Sequence, residues 1–123
     1  MNISSDAGKK GWALLAHYSA SKLGVIALTQ TLAAECGPQR VTVNAVCPAT
    51  TPATGMGQKV LQQNMALRGQ SADEVLRAGA ESFPMRRLGT VDDVADTILF
   101  LISDNASWIS GEAINIDGGA LSG

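Results

Sequence analysis

The stretch from Tyr18 to Pro48, YSASKLGVIALTQTLAAECGPQRVTVNAVCP, decides the fold. Apolar side chains at Leu23, Ile26, Ala27, Leu28, Leu32 and Ala33 recur at helical spacing, and Gly37-Pro38 supplies a stop, so Tyr18 to Glu35 reads as one long amphipathic helix. The next segment, Arg40 to Val46, is short, rich in β-branched residues and closed by Pro48, which predicts a largely buried strand. A helix that feeds a buried strand implies a parallel sheet.

Outward from that pair, Met1 to Ser5 reads as the end of a strand running into a polar turn, followed by a loop with Lys9, Lys10, Gly8 and Gly11. Between Ala49 and Pro84 the composition shifts to Thr, Ala, Gly, Gln and Met with weak periodicity. Helices are expected around Gly57 to Leu67 and around Ala72 to Ala80, and residues 54–84 together read as a lid over a substrate rather than as core. Thr90 followed by Asp93 predicts a capping box, after which Val91, Val94, Ala95, Ile98, Leu99 and Ile102 trace one helical face. Gly111 to Asp117 reads as a last strand before the Gly118-Gly119 turn. The order strand, helix, strand, helices, strand is that of an α/β protein, with residues 1–123 forming one domain.

Composition narrows the function classes. Hydrophobic residues make up 46% of the chain, charged residues 16% and aromatics 4%, which suits a packed interior of small aliphatic side chains. The net charge is -2 and no basic run exceeds the pairs Lys9-Lys10 and Arg86-Arg87, so nucleic acid is not an expected partner. The longest apolar runs, such as Ile98 to Ile102, fall far short of the roughly 20 residues a membrane span needs. No basic, apolar leader opens the chain, so a cytoplasmic location is expected. Cys36, Cys47 and His17 match no metal-ligand spacing, so no metal is expected and both thiols are read as buried and reduced.

Tyr18-Ser19-Ala20-Ser21-Lys22 carries the chemistry. A phenol and an ammonium four positions apart project from one helix face, and the cation stabilises the phenolate. A free phenol titrates near about 10, too high for proton transfer at neutral pH, so a neighbouring cation is what fits a tyrosine for acid–base work. The same pair also occurs on ordinary solvated helix faces. Context favours the chemical reading: Ser5 follows a predicted strand thirteen positions earlier, where its hydroxyl sits at the carboxyl end of a parallel sheet, the edge that binds ligands. The adjacent Ser4 has the alternative use of capping the turn.

Four blocks, Asn2-Ile3-Ser4-Ser5, Tyr18-Ser19-Ala20-Ser21-Lys22, Val43-Asn44-Ala45-Val46-Cys47-Pro48 and Ile114-Asn115-Ile116-Asp117-Gly118-Gly119, resemble short-chain dehydrogenases/reductases across nearly the whole chain. The resemblance implies the C-terminal part of a Rossmann-like, doubly wound parallel sheet, with these three strands as the last of seven. It implies an NAD(P)-dependent oxidoreductase that interconverts an alcohol and a ketone. Ser5 would hydrogen-bond the substrate oxygen, Tyr18 would transfer the proton, and Lys22 would tune Tyr18 and hold the nicotinamide ribose. His17 and Asn44 receive no catalytic role, Asn44 and the Asp117-Gly118-Gly119 turn having sufficient structural explanations.

The same resemblance places Pro48, Ala49 and Thr51 against the nicotinamide of NAD or NADP, with the Thr51 backbone N–H meeting the carboxamide. The chain departs from the family pattern where Ala49 replaces a usual glycine and Ala53 a usual threonine, with Thr54 one place later. No Gly-rich dinucleotide turn after a strand occurs within the 123 residues, nor does the family's active-site asparagine. The expectation is therefore a half-subunit inactive by itself, belonging to an enzyme that forms homo-oligomers, dimeric or tetrameric. A non-catalytic interaction or assembly piece is the alternative.

Overall fold

The computed structural model describes residues 1–121. Its strands are β1 (Asn2–Ile3), β2 (Ala45–Pro48) and β3 (Ala113–Ile116), and its helices are α1 (Ala16–Cys36), α2 (Gly55–Arg68), α3 (Ala72–Ser82) and α4 (Val91–Leu101). The strands form one parallel sheet in the order β1-β2-β3, with Asn2 beside Ala45, Ile3 beside Val46, and Ala45 to Pro48 beside Ala113 to Ile116. This is the expected α/β architecture.

Alternation along the strands sorts the two faces. On one face Asn2 Nδ2 donates to Thr29 Oγ1 (2.9 Å) and Ser4 Oγ to the Lys22 carbonyl (2.8 Å), which places α1 there. On the other, Val46 joins Leu101 and Ala106 in the main apolar cluster, with Val94, Ile98, Ile114 and Ile116 packed around it, which places α4 there. The sheet is thus covered by helices on both sides, as a doubly wound sheet requires.

Several boundaries differ from the sequence reading. The middle strand runs over Ala45–Pro48 rather than Arg40–Val46, because Arg40 adopts a left-handed conformation (φ 60) in the turn that follows the 3₁₀ segment Gly37–Gln39. Residues before it are held by Asn44 instead: its Nδ2 donates to the Ile109 carbonyl (2.7 Å) and its Oδ1 accepts from the Glu112 N–H (3.1 Å). The last strand is shorter than Gly111–Asp117, since Gly111 takes positive φ and Asp117 turns to accept N–H bonds from Gly119 and Leu121. Cys47 is buried as expected, but Cys36 is only half-buried.

α1 is a helix over the expected range but is not amphipathic. Only Ile26 and Thr29 are buried on it, while Leu23 and Leu28 stay 57% and 52% exposed. Its apolar residues surround the axis instead of lining one stripe, the pattern of a helix meant to be covered on more than one side. The face of α4 is likewise offset from the predicted one. Val94, Ile98 and Leu101 meet the sheet, whereas Val91, Leu99 and Ile102 point outward.

The start of α4 follows the sequence closely. Thr90 Oγ1 accepts from the Asp93 N–H, and the Asp93 carboxylate accepts from the Thr90 N–H and hydroxyl, closing the predicted capping box. Arg87 adds a two-armed pair to the same carboxylate at 2.7 and 2.8 Å. The Arg87 guanidinium, and after it the Thr90 bonds, hold the Asp93 carboxyl far below the ordinary carboxylate range. A depressed carboxylate contributes stability that is present above its unfolded value and lost as pH falls through its folded one. The stability gap between wild type and Asp93→Asn, measured by denaturant melts, is therefore expected to be full at neutral pH and to shrink as pH drops from about 5 to about 2.

α2 begins hard against the loop that follows β2. A Cβ built on Gly57 would lie 2.0 Å from the Thr51 carbonyl oxygen, so only glycine fits at position 57 in this first helical turn. Gly57→Ala is expected to lower stability by about 1–3 kcal/mol through overpacking, read as a reduced denaturation midpoint.

Candidate active site

The residues singled out for chemistry gather at the carboxyl end of β1 and the first turns of α1. Lys22 Nζ lies 5.7 Å from the centre of the Tyr18 ring and donates to the Ile3 carbonyl at 3.1 Å. One ammonium therefore bridges the phenol-bearing helix and the strand that leads to Ser5. The Tyr18 hydroxyl has no hydrogen-bond partner among the described residues, and the side chain is half-buried. Its oxygen remains available to a ligand.

Ser4 and Ser5 serve different neighbours. Ser5, 8% exposed, caps the 3₁₀ segment Asp6–Gly8: its hydroxyl accepts from the Ala7 N–H (3.2 Å) and donates to Asp6 Oδ1 (2.8 Å). Ser4 is the residue that reaches α1, donating to the Lys22 carbonyl. No hydrogen bond joins Ser5 directly to Tyr18 or Lys22; the link between them runs through Ile3 and Ser4. Asp6 went unnoticed in the sequence, although an acid one position after a hydroxyl is the signal that would have found it.

Beside Ser4, on the next strand, lies the fully buried Cys47. Burial pushes its thiol up, while the Ser4 hydroxyl, the Lys9 charge and the Ser5 backbone pull it down less strongly. Lys9 is itself drawn across the molecule to the Ala113 carbonyl.

The loop after β2 also takes definite shape. Pro48 pairs with Ile116, and the Ala49 N–H donates to the Ile116 carbonyl at 3.0 Å, so both belong to the sheet's end rather than to a free loop. Thr51 is buried, and its carbonyl accepts from the Thr54 N–H (3.2 Å) and hydroxyl (2.9 Å). Its own N–H has no partner among the described residues. Thr54 cannot stand in for the threonine missing at position 53, because its hydroxyl is committed as the cap of α2, accepting from the Gly57 N–H at 3.0 Å.

A family model described as enoyl-(acyl carrier protein) reductase matches residues 1–120. The chain belongs to the short-chain dehydrogenase/reductase family. Among curated members, 2-(S)-hydroxypropyl-CoM dehydrogenase 3 of Xanthobacter autotrophicus is 38% identical over 119 residues, a match covering 97% of this chain and 44% of the relative. The human (3R)-3-hydroxyacyl-CoA dehydrogenase is 40% identical over 119 residues, covering 97% of this chain and 41% of its own length. Actinorhodin polyketide ketoreductase, solved with NADPH, superposes with a TM-score of 0.88 at 34% identity over 97% of this chain and 45% of that one. A short-chain dehydrogenase family protein of Francisella tularensis gives a TM-score of 0.91 at 28% identity over 98% of this chain and 50% of its own. The chain thus spans about half the length of the short-chain dehydrogenases/reductases it matches.

Burial of Cys47 at the heart of this cluster has a direct consequence. In the native protein at neutral pH, peptide mapping after maleimide treatment is expected to find Cys47 unmodified, and to find it modified once guanidinium unfolds the chain. Rapid native labelling of Cys47 would contradict its placement.

Proposed function

We propose that this chain carries the catalytic groups of an NAD(P)-dependent oxidoreductase that interconverts a small-molecule alcohol and its ketone. The observation that supports it most is Lys22 Nζ, positioned by the Ile3 carbonyl over the Tyr18 ring, with the Tyr18 hydroxyl unpartnered among the described residues. The nicotinamide, when bound, accepts or supplies the hydride. The chain's own residues handle the proton: Tyr18 takes it from the alcohol oxygen or returns it to the ketone oxygen, and the Lys22 ammonium stabilises the phenolate form in between.

Ser5 orients the substrate oxygen. Its single hydroxyl proton faces Asp6 in this structure, so donation to a substrate requires that proton to rotate away from the carboxylate. Toward the cofactor, Lys22 and Tyr18 would hold the nicotinamide ribose, and Pro48, Ala49 and Thr51 would meet the nicotinamide. The Thr51 N–H, without a partner among the described residues at a buried position, fits a carboxamide acceptor. Ala49 is compatible with this use, since its backbone does not adopt positive φ.

Residues 54–84 act as the substrate lid. In support, α2 and α3 pack chiefly against each other rather than against the sheet, and the segment after them is fastened where the Met85 N–H donates to the Gly118 carbonyl at 3.2 Å. A lid needs such weak lateral contacts between firm ends. The exposed Leu23 and Leu28 of α1 favour a further role for that helix in joining subunits into a homo-oligomer. No helix among the described residues is long and apolar enough to cross a membrane, and the proposed setting is the cytoplasm.

In the full-length protein, Tyr18→Phe is expected to lower turnover of an alcohol substrate by about 10²- to 10⁴-fold, while the oligomeric state by light scattering stays unchanged. Undiminished turnover would remove Tyr18 from the mechanism. The 123-residue chain alone, which contains no Gly-rich dinucleotide turn, is expected to show no hydride transfer when nicotinamide absorbance is followed.

A further inference from the structure

Lys22 is gripped twice by the last residues of β1. The Ile3 carbonyl accepts from its ammonium at 3.1 Å, and the Ser4 hydroxyl donates to its backbone carbonyl at 2.8 Å. The second contact is the less expected one. Lys22 sits inside α1, where its carbonyl already has a helical acceptor role, so the Ser4 bond adds nothing to helix formation. It ties the helix to the strand.

A third element closes the joint from outside. A Cβ on Gly8 would meet Ser4 Oγ at 2.7 Å and the Lys22 carbonyl carbon and oxygen at 2.9 and 3.0 Å. Gly8 thus lies flat on the Ser4–Lys22 bond, and Ser4 itself is only 4% exposed. Sliding α1 by one residue along its axis moves every side chain by about 1.5 Å, enough to break a bond of this length. With Ser4 bonded to that carbonyl and Gly8 packed so close that no Cβ would fit beside it, that slide is opposed.

We infer that Ser4 is a positioning residue: its hydroxyl fixes the axial register of α1 against β1, and through Lys22 it sets where the Tyr18 phenol and the Lys22 ammonium stand relative to Ser5. The inference rests on the proposed oxidoreductase reading for its functional consequence, though not for its structural one. Proton transfer is sensitive to such placement, since a misplacement of about 1 Å can cost about 100-fold in rate. Ser4 is buried and spends its hydroxyl on the Lys22 carbonyl. It acts by holding Lys22 in place.

The test uses the full-length protein with Ser4→Ala and Ser4→Thr, the second retaining the hydroxyl. In Ser4→Ala, kcat is expected to fall about tenfold with KM for the alcohol unchanged, and the rise of the rate with pH is expected to move to higher pH. Ser4→Thr is expected to keep the wild-type pH profile. Independently of turnover, amide hydrogen exchange over residues 18–26 is expected to quicken about tenfold in Ser4→Ala. Unchanged exchange there overturns the inference whether or not the protein turns over any substrate. Quickened exchange with an unaltered kcat and pH profile also overturns it, because α1 would then be loosened without effect on the phenol. Absence of turnover in the wild type, with quickened exchange in Ser4→Ala, would instead remove the oxidoreductase reading and leave the register lock standing.

Discussion

The double hold of β1 on Lys22 is the constraint from which the rest of the site follows. A two-residue strand is a weak element alone, and it gains its fixed place from β2 on one side and from α1 above it. Asn2 reaches Thr29 and Ser4 reaches Lys22, seven residues apart on the helix, so the strand holds α1 at two points about two turns apart. Tyr18 lies one turn before the second of these contacts. Its location is therefore tied to strand–helix hydrogen bonds.

Those bonds matter more here because apolar burial is thin. The main cluster is small, and large side chains such as Leu23, Leu28, Leu99 and Ile102 remain more than half exposed. In their place stands a set of buried polar groups, Ser4, Thr29, Asn44 and Asp117 among them, each satisfied by a neighbour's backbone or side chain. Satisfied polar groups in a low-dielectric interior specify geometry more sharply than greasy contacts do.

Much of the architecture was legible because it depends on local signals. Gly37-Pro38 and the capping pair Thr90 and Asp93 mark helix ends through their own chemistry, and the structure follows both. The misjudged boundaries depend on distant partners. Arg40 looks like strand by composition but must turn the chain out of a 3₁₀ segment, and the strand begins only where β1 and β3 offer hydrogen bonds. The amphipathic reading of α1 failed for a related reason, since spacing reports where apolar residues lie and not how many faces will be covered. At the site, the closeness of Tyr18 and Lys22 follows from helical periodicity alone. The division of labour between Ser4 and Ser5 does not, because it is fixed by which strand face meets α1.

The carbonyl of Thr51 ties two regions together: it accepts twice from Thr54, which caps α2, and Gly57 rests against it. Anyone grafting the helical pair of residues 55–82 from one relative onto another would cut through this knot if the seam fell between positions 51 and 57. The modular unit for such exchanges starts ahead of Thr51, so that a new pair of helices arrives with the turn on which it was built. Diversification of the region over evolutionary time meets the same restriction, with the turn and the helix start constrained to change in concert.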